Sequence, residues 1–126
     1  MFLFNLCEKR GSGMDRAVAG VEEMRLPAIT IEKGEDFTRA RLFPLKKYTE
    51  MSRTEKIQAC YQHACLLYED GFELTNQSLR QRLDMPKYNS AGASRIIGDT
   101  IEAGLIKLSD KALDSKKYSS YVPYYA

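Results

Sequence analysis

Ser52 and Glu55 stand three residues apart at the head of a run in which Ile57, Cys60, Tyr61, Ala64, Cys65 and Tyr68 recur at helical spacing until Gly71. This is the capping-box pattern, in which the serine oxygen takes a free amide of the first turn and the glutamate reaches back to the serine amide. It predicts a helix with one apolar face, closed by a glycine that tolerates left-handed geometry. Two more helix starts follow closely. Thr75 or Asn76 opens a second helix, anchored by Leu79 and Leu83, which ends before Met85 and Pro86 because proline disfavours helical geometry in the residue before it. Asn89 or Ser90 opens a third, over 89–103, with Ala93, Ile96, Ile97, Thr100 and Ile101 inward and Gly104 as its stop.

Between and after these helices lie extended runs. "FELT" is a short link between the first two, and "LIKLS" and "KYSSYVPY" are two strand-like runs joined by the polar loop "DKALDSK". Helix, short strand, helix, turn, helix and hairpin is the order of a winged helix-turn-helix. The fold class expected is therefore α+β: a winged helix-turn-helix preceded by an N-terminal helix and β-hairpin fragment.

That fragment is read from Met14, Ala17, Val18, Val21 and Met24, which repeat at helical spacing after "GSG", with Pro27 just beyond. "AITIE" and "FTRARLF" flank "KGED" and alternate Ile29, Ile31 and Phe37 with polar neighbours, as a hairpin does. One helix and one hairpin bury little surface, so this unit is expected to be marginal alone and to close a larger domain whose beginning lies outside the chain. The boundary falls between Pro44 and Ser52, giving a fragment over 1–44 and a DNA-binding domain over 45–126.

The 126 residues, 44% hydrophobic, suffice for one modest core. No run is long enough for a membrane span, and "MFLFNLCEKR" is too short and wrongly flanked for a leader, so a cytoplasmic location is expected. Cys7, Cys60 and Cys65 are odd in number, lack metal-ligand spacing and fall on helical segments, as reduced, packed thiols do. The net charge of +2 gives whole-chain electrostatics no vote for nucleic acid, so any DNA contact must rest on local charge.

Local charge and chemistry gather on the third helix and the hairpin. A recognition helix lays its outward face, mainly its N-terminal half, against the major groove, and the outward positions here are Asn89, Ser90, Ser94, Arg95, Gly98, Asp99 and Glu102. Asn89 suits adenine and Arg95 guanine, whereas Ser90 and Ser94 suit phosphate beside the free amides of the helix start. Gly98 would let another backbone approach, and Asp99 and Glu102 repel phosphate and mark where contact should stop. Lys107, Lys111, Lys116 and Lys117 make the wing basic, offset in part by Asp110 and Asp114, and would contact phosphates by charge alone. Arg80, Arg82 and Lys87 flank the second helix and could hold the backbone across the groove. Each of these side chains would equally serve as the solvent face of a helix or turn.

Other features carry a rival reading. Tyr118, Tyr121, Tyr124 and Tyr125 could stack on bases or pack against the helices. His63 and Cys60, three residues apart, have no further ligands to complete a metal site, and none is expected. Gly11, Ser12 and Gly13 could cradle a nucleotide anion at a helix start, or form a plain turn. The chain holds no GxxxxGK[ST], no HExxH and no nucleophile, base and orienter set, so no catalysis by this chain and no cofactor are expected.

"NLCEKRGSGMDRAV" continuing through "LPAITIEKGEDFTRARLFP" resembles the closing segment of the ATPase-like domain in bacterial RecG-related ATP-dependent DNA helicases and transcriptional regulators. "MSRTEKIQACYQHACLLYEDG" through "YSSYVPYYA" resembles their C-terminal winged helix. Together these cover nearly the whole chain, and "RGSGMDR", Arg10 to Arg16, is the most family-specific element. In fuller members a Schlafen-type AlbA domain precedes the ATPase-like domain; neither its sequence, nor the main nucleotide-binding motifs, nor a helicase motor motif occurs here. The resemblance implies a C-terminal module of a DNA-transacting or transcription-regulating protein, with double-stranded DNA and the rest of the parent ATPase-like domain as partners and ATP as a cofactor of the parent only. The rival expectations are a protein-interaction module that forms homodimers without DNA affinity, and an accessory piece of an ATP-binding enzyme.

Overall fold

The computed structural model describes residues 12–33, 35–36, 38–41, 46–110 and 119–126. These hold helix α1 (Ser12–Glu23), strands β1 (Thr30–Lys33) and β2 (Thr38–Arg41), a 3-10 turn (Tyr48–Glu50), and helix α2 (Arg53–Glu69). Strand β3 (Leu74–Thr75), helices α3 (Asn76–Arg82) and α4 (Ser90–Glu102), and strands β4 (Ile106–Leu108) and β5 (Ser120–Pro123) complete the order. The architecture is mixed α+β.

Each helix starts where its side chains satisfy the free amides of the first turn. Ser52 Oγ accepts from the Glu55 amide at 3.2 Å while Glu55 Oε1 accepts from the Ser52 amide at 3.3 Å. Lys46 Nζ reaches the same carboxylate at 2.9 Å. That ammonium, followed by the Ser52 amide, holds the Glu55 carboxyl below its ordinary range. Thr75 caps α3 in a reciprocal pair with Ser78, where a serine takes the place usually filled by glutamate or glutamine. Asn89 caps α4, its Oδ1 accepting from the Gly92 amide at 3.1 Å. A Cβ at position 92 would sit 2.7 Å from Asn89 Oδ1, so the capping side chain would have to shift to admit it. Gly71 and Gly104 take φ of 86° and 77° in the turns that close α2 and α4.

β1 and β2 form an antiparallel hairpin, with Ile31 opposite Ala40. β3, β5 and β4 form a second antiparallel sheet in that order, with the last strand in the middle. Leu74 faces Tyr121, and Ile106, Lys107 and Leu108 face Pro123, Val122 and Tyr121. Glu73 ties the strand ends together by accepting from Ser120 Oγ at 2.8 Å and from Ser109 Oγ.

Among the described residues, one buried cluster joins the helices and the three-stranded sheet. Ala59, Cys60, Tyr61, Ala64 and Cys65 of α2 pack with Leu74, with Leu79 and Leu83, with Ala93, Ile96 and Ile97 of α4, and with Leu105 and Ile106. Val18 and Val21 of α1 and Ile29 belong to the same cluster, so the N-terminal helix shares its core with the helices beyond Ser52. Cys60 and Cys65 are free thiols; burial, set against a hydrogen bond with Thr100, pushes the Cys60 thiol up to about 12. Cys7 lies outside the described residues.

Three expected core positions open outward. Met24 lies past the end of α1 and is 67% exposed. Ile101 is 40% exposed because Thr100 takes the inward place in that turn, donating to the Ile96 carbonyl at 2.8 Å; the next residue is rotated by about 100° around the axis. Tyr68, 39% exposed, meets Tyr125 edge-on at a centroid distance of 5.9 Å.

Among the described residues, no helix is long and apolar enough to cross a membrane.

Candidate nucleic-acid interface

α3 and α4 are locked together by Asn76. Its Nδ2 donates to the Ser90 carbonyl at 2.9 Å and to Ser94 Oγ at 2.8 Å, while its Oδ1 accepts from Arg80 Nε at 2.8 Å. Arg80 donates in turn to the carbonyl of Lys87 in the connecting turn. Arg80, Lys87, Ser90 and Ser94, four of the residues expected to meet DNA, thus belong to one hydrogen-bonded neighbourhood. Two helices and a turn hold their relative positions. Asn76 carries this arrangement and went unnoticed in the sequence beyond its candidacy as a cap, because nothing local distinguishes a capping asparagine from one that bridges two helices.

Asn89 is spent on the fold. Besides its capping bond, its Nδ2 donates to the Tyr48 hydroxyl at 3.3 Å, so reading a base edge would require it to give up the cap. Arg95 is different: it is exposed and, among the described residues, makes no hydrogen bond or ion pair. Ser90 and Ser94 are exposed beside it. Gly98 is exposed too, but a Cβ there would meet nothing within 4 Å. Among the described residues, no part of the chain itself approaches it.

The acidic residues on α4 are partnered. Arg53 Nη2 lies 3.2 Å from Asp99 Oδ1 and 3.6 Å from Glu102 Oε2. The hydrogen bond to Asp99, with its charge, raises the Arg53 guanidinium above its ordinary value. The repulsion that these carboxylates would exert on phosphate is therefore softened by a cation from the start of α2.

Arg82 is a correction to the sequence reading. Only 3% of its side chain is exposed, and it points inward rather than across a groove. Its Nε lies 2.8 Å from Glu22 Oε1 as an ion pair, and its Nη2 donates to the Leu26 carbonyl. Glu22 also accepts from Gln62 Nε2 at 2.8 Å and from His63 Nδ1 at 2.9 Å. A carboxylate only accepts, so His63 Nδ1 is the donor in this contact. Gln62 Oε1 then takes the Ile29 amide at 3.1 Å. Burial raises the Glu22 carboxyl, but the His63 hydrogen bond and the Arg82 charge outweigh it and hold the group below its ordinary range. A groove of about 450 Å³ between α1, α2 and α3 is lined by Glu22, His63 and Arg82. Glu22 gathers Gln62, His63 and Arg82, while His63 Nε2 is buried without a hydrogen-bond partner among the described residues, and the cluster fastens α1 to the other helices.

The remaining expected residues divide. Lys107 is exposed on β4, and its Nζ donates to the Ala126 carbonyl. Lys111, Lys116, Lys117, Asp114 and Tyr118 lie outside the described residues, as does Gly11; Ser12 and Gly13 are the first residues of α1. Tyr121 stands in β5 opposite Leu74 and Leu108. Tyr124 stacks on Tyr61 at 6.4 Å and meets Tyr125 edge-on at 5.7 Å, so these two rings are engaged with the protein. His63 turns to Glu22 and Cys60 to Thr100, on separate partners. Among the described residues, no group of three or more metal-ligating side chains converges. Tyr88, in the turn just ahead of α4, is 90% exposed. An aromatic inside the polar stretch "PKYNS" was its only signal.

Comparison with protein-family models, with curated proteins and with solved structures finds no match.

Proposed function

We propose that this chain is a winged-helix module that binds double-stranded DNA, with α4 as the recognition helix and the β4–β5 hairpin as the wing. The observation that carries the reading is the outward side of α4. Arg95, exposed and without a hydrogen bond or ion pair among the described residues, stands beside Ser90 and Ser94 near the start of a helix that Asn76 and Asn89 hold in place. A guanidinium held this way can pair with the O6 and N7 of guanine, and the serine hydroxyls can take phosphate oxygens. The element order also supports it: a three-stranded sheet of order β3-β5-β4 backs three helices. Lys107 and the loop lysines Lys111, Lys116 and Lys117 add sequence-independent phosphate attraction.

In this reading the chain supplies DNA affinity and does no chemistry. The likeness of "RGSGMDR" and of the C-terminal half to RecG-related helicases and regulators favours a role within a larger DNA-transacting or transcription-regulating bacterial protein.

Fluorescence titration of a labelled duplex at low salt tests the reading. The parent chain binds; Arg95→Ala weakens binding most on guanine-containing sites, and Lys116→Ala/Lys117→Ala weakens it uniformly. Absence of duplex binding by the parent, or parent-like binding by all variants, would sink it.

A further inference from the structure

Beside α3 lies a cleft of about 340 Å³ whose rim includes Arg25, Arg80, Asp84 and Lys87. Three cations face one carboxylate, which leaves the rim two charges positive. The only ion pair among these four is Arg25 Nη1 with Asp84 Oδ1 at 3.4 Å, and both side chains are largely exposed, at 52% and 84%. Arg80 spends its hydrogens on neutral acceptors, Asn76 Oδ1 and the Lys87 carbonyl, so its charge has no counter-ion among the described residues. Lys87 is exposed and makes no ion pair there.

The two partners of the ion pair share a second peculiarity. Among the described residues, Arg25 and Asp84 are the non-glycine residues with positive φ, at 56° and 54°. Each stands just past the end of its helix, where the Leu26 amide bonds to the Val21 carbonyl at 3.0 Å and the Met85 amide to the Arg80 carbonyl at 2.8 Å, as in a left-handed helix cap. These two caps leave an arginine and an aspartate facing each other at the mouth of the cleft. Arg25 belongs to the part of the chain before the hairpin, and Arg80 and Lys87 to the part after it. The buried Glu22–Arg82 contact fixes the one against the other.

We infer that this cleft is a phosphate site assembled from both parts of the chain, and that it takes a phosphodiester of the DNA backbone, with Arg25, Arg80 and Lys87 as the cations. The inference rests on the reading of the chain as a DNA-binding module and extends its surface to a residue outside the three-helix portion. Arg80 bonds Asn76, which in turn bonds Ser90 and Ser94 of α4, so the cleft adjoins the proposed DNA-facing surface through this chain of contacts. Asp84 then acts as a stand-in anion in the free protein, released from Arg25 when a phosphate arrives.

The test is the salt dependence of duplex binding by the full chain, joined to amide shifts with inorganic phosphate alone. Arg25→Asn removes the charge while asparagine tolerates left-handed geometry. It should leave thermal stability at or above that of the parent and reduce the slope of log affinity against log salt by about 0.9. Asp84→Asn should tighten binding, a gain that misfolding cannot produce. Inorganic phosphate should shift the amides of Gln77, Gln81, Met85 and Lys87. If duplex binds with unchanged slope in Arg25→Asn and phosphate shifts none of these amides, the cleft is not a phosphate site and the reading of α4 stands. If phosphate shifts them but no duplex binds, the site takes free phosphate, and both the backbone assignment and the DNA reading fall. If neither is seen, both proposals fail.

Discussion

Glu22→Gln is the most informative single change in this protein. It keeps the shape of the side chain and removes the charge that Arg82 and His63 address. Arg82 is left with its guanidinium 3% exposed and without a carboxylate. Breaking a buried ion pair from one side costs about 3–5 kcal/mol, against a total stability of roughly 5–15 kcal/mol for a domain. For 126 residues and about 2.1 cal/mol/K of unfolding entropy per residue, that is a fall in Tm of about 10–20 °C. Urea denaturation at neutral pH measures it directly. The double variant Glu22→Gln/Arg82→Met should recover most of the loss, because removing both charges together leaves no uncompensated ion. The pH dependence carries the same signature. The Glu22 carboxyl titrates lower in the folded chain than in the unfolded one, where its value is about 4.3. Its contribution is therefore fully present above that value and is lost as pH falls through the folded value. The parent should lose stability along that acid limb, and Glu22→Gln should show a shallower one. A cost under about 1 kcal/mol for the single variant, or no recovery in the double, would refute the idea that this cluster fastens α1 to the remaining helices.

Three further outcomes are expected. Gly92→Ala should destabilise α4 although alanine is the better helix former, because its Cβ would press on Asn89 Oδ1 at 2.7 Å; in Asn89→Ala, itself costing about 1 kcal/mol, the same change should become stabilising in a urea-denaturation cycle. In a Cys7→Ser/Cys65→Ser background the Cys60 thiol, pushed up to about 12, should react with an aromatic disulfide reagent near neutral pH only as fast as the chain unfolds; rapid labelling would contradict its burial. Ser52→Ala should cost about 1 kcal/mol and, by loosening Glu55, weaken the contact with Lys46, which a lower urea midpoint with an unchanged slope would report.

Local order was legible wherever side chains talk to their own backbone. The Ser52–Glu55 box, the glycines at 71 and 104 and the proline at 86 each act over a few residues, and the helix limits fall where those signals stand. Thr75 was legible as a candidate cap, but its partner Ser78 was not, because serine at that position is common and silent. The face of a helix was legible only where the neighbour on that face is another helix: Cys60, Ala64, Ile96 and Ile97 are buried as their spacing predicts. Met24, Tyr68 and Ile101 share the spacing and lie at helix ends, where the packing surface has run out. Arg82 shows the limit most clearly. By composition it is one more cation on a basic helix, and only the approach of Glu22 from a segment sixty residues earlier in the chain turns it inward.

By itself, then, the amino-acid sequence determined the succession of helices, turns and strands, the caps that start them and the apolar stripes that cover the core, because each of these depends on contacts within a turn or two of chain. Only the tertiary structure decided which polar residues are spent and which remain. Asn89, Arg82, Glu22 and Asp99 are engaged by partners far away in sequence, Arg95 and Lys87 are left without one among the described residues, and Arg25 is brought to the mouth of a cleft shared with Arg80. Charge and hydrogen bonding are pairwise and act through space, so their outcome waits on where the chain puts both members of each pair.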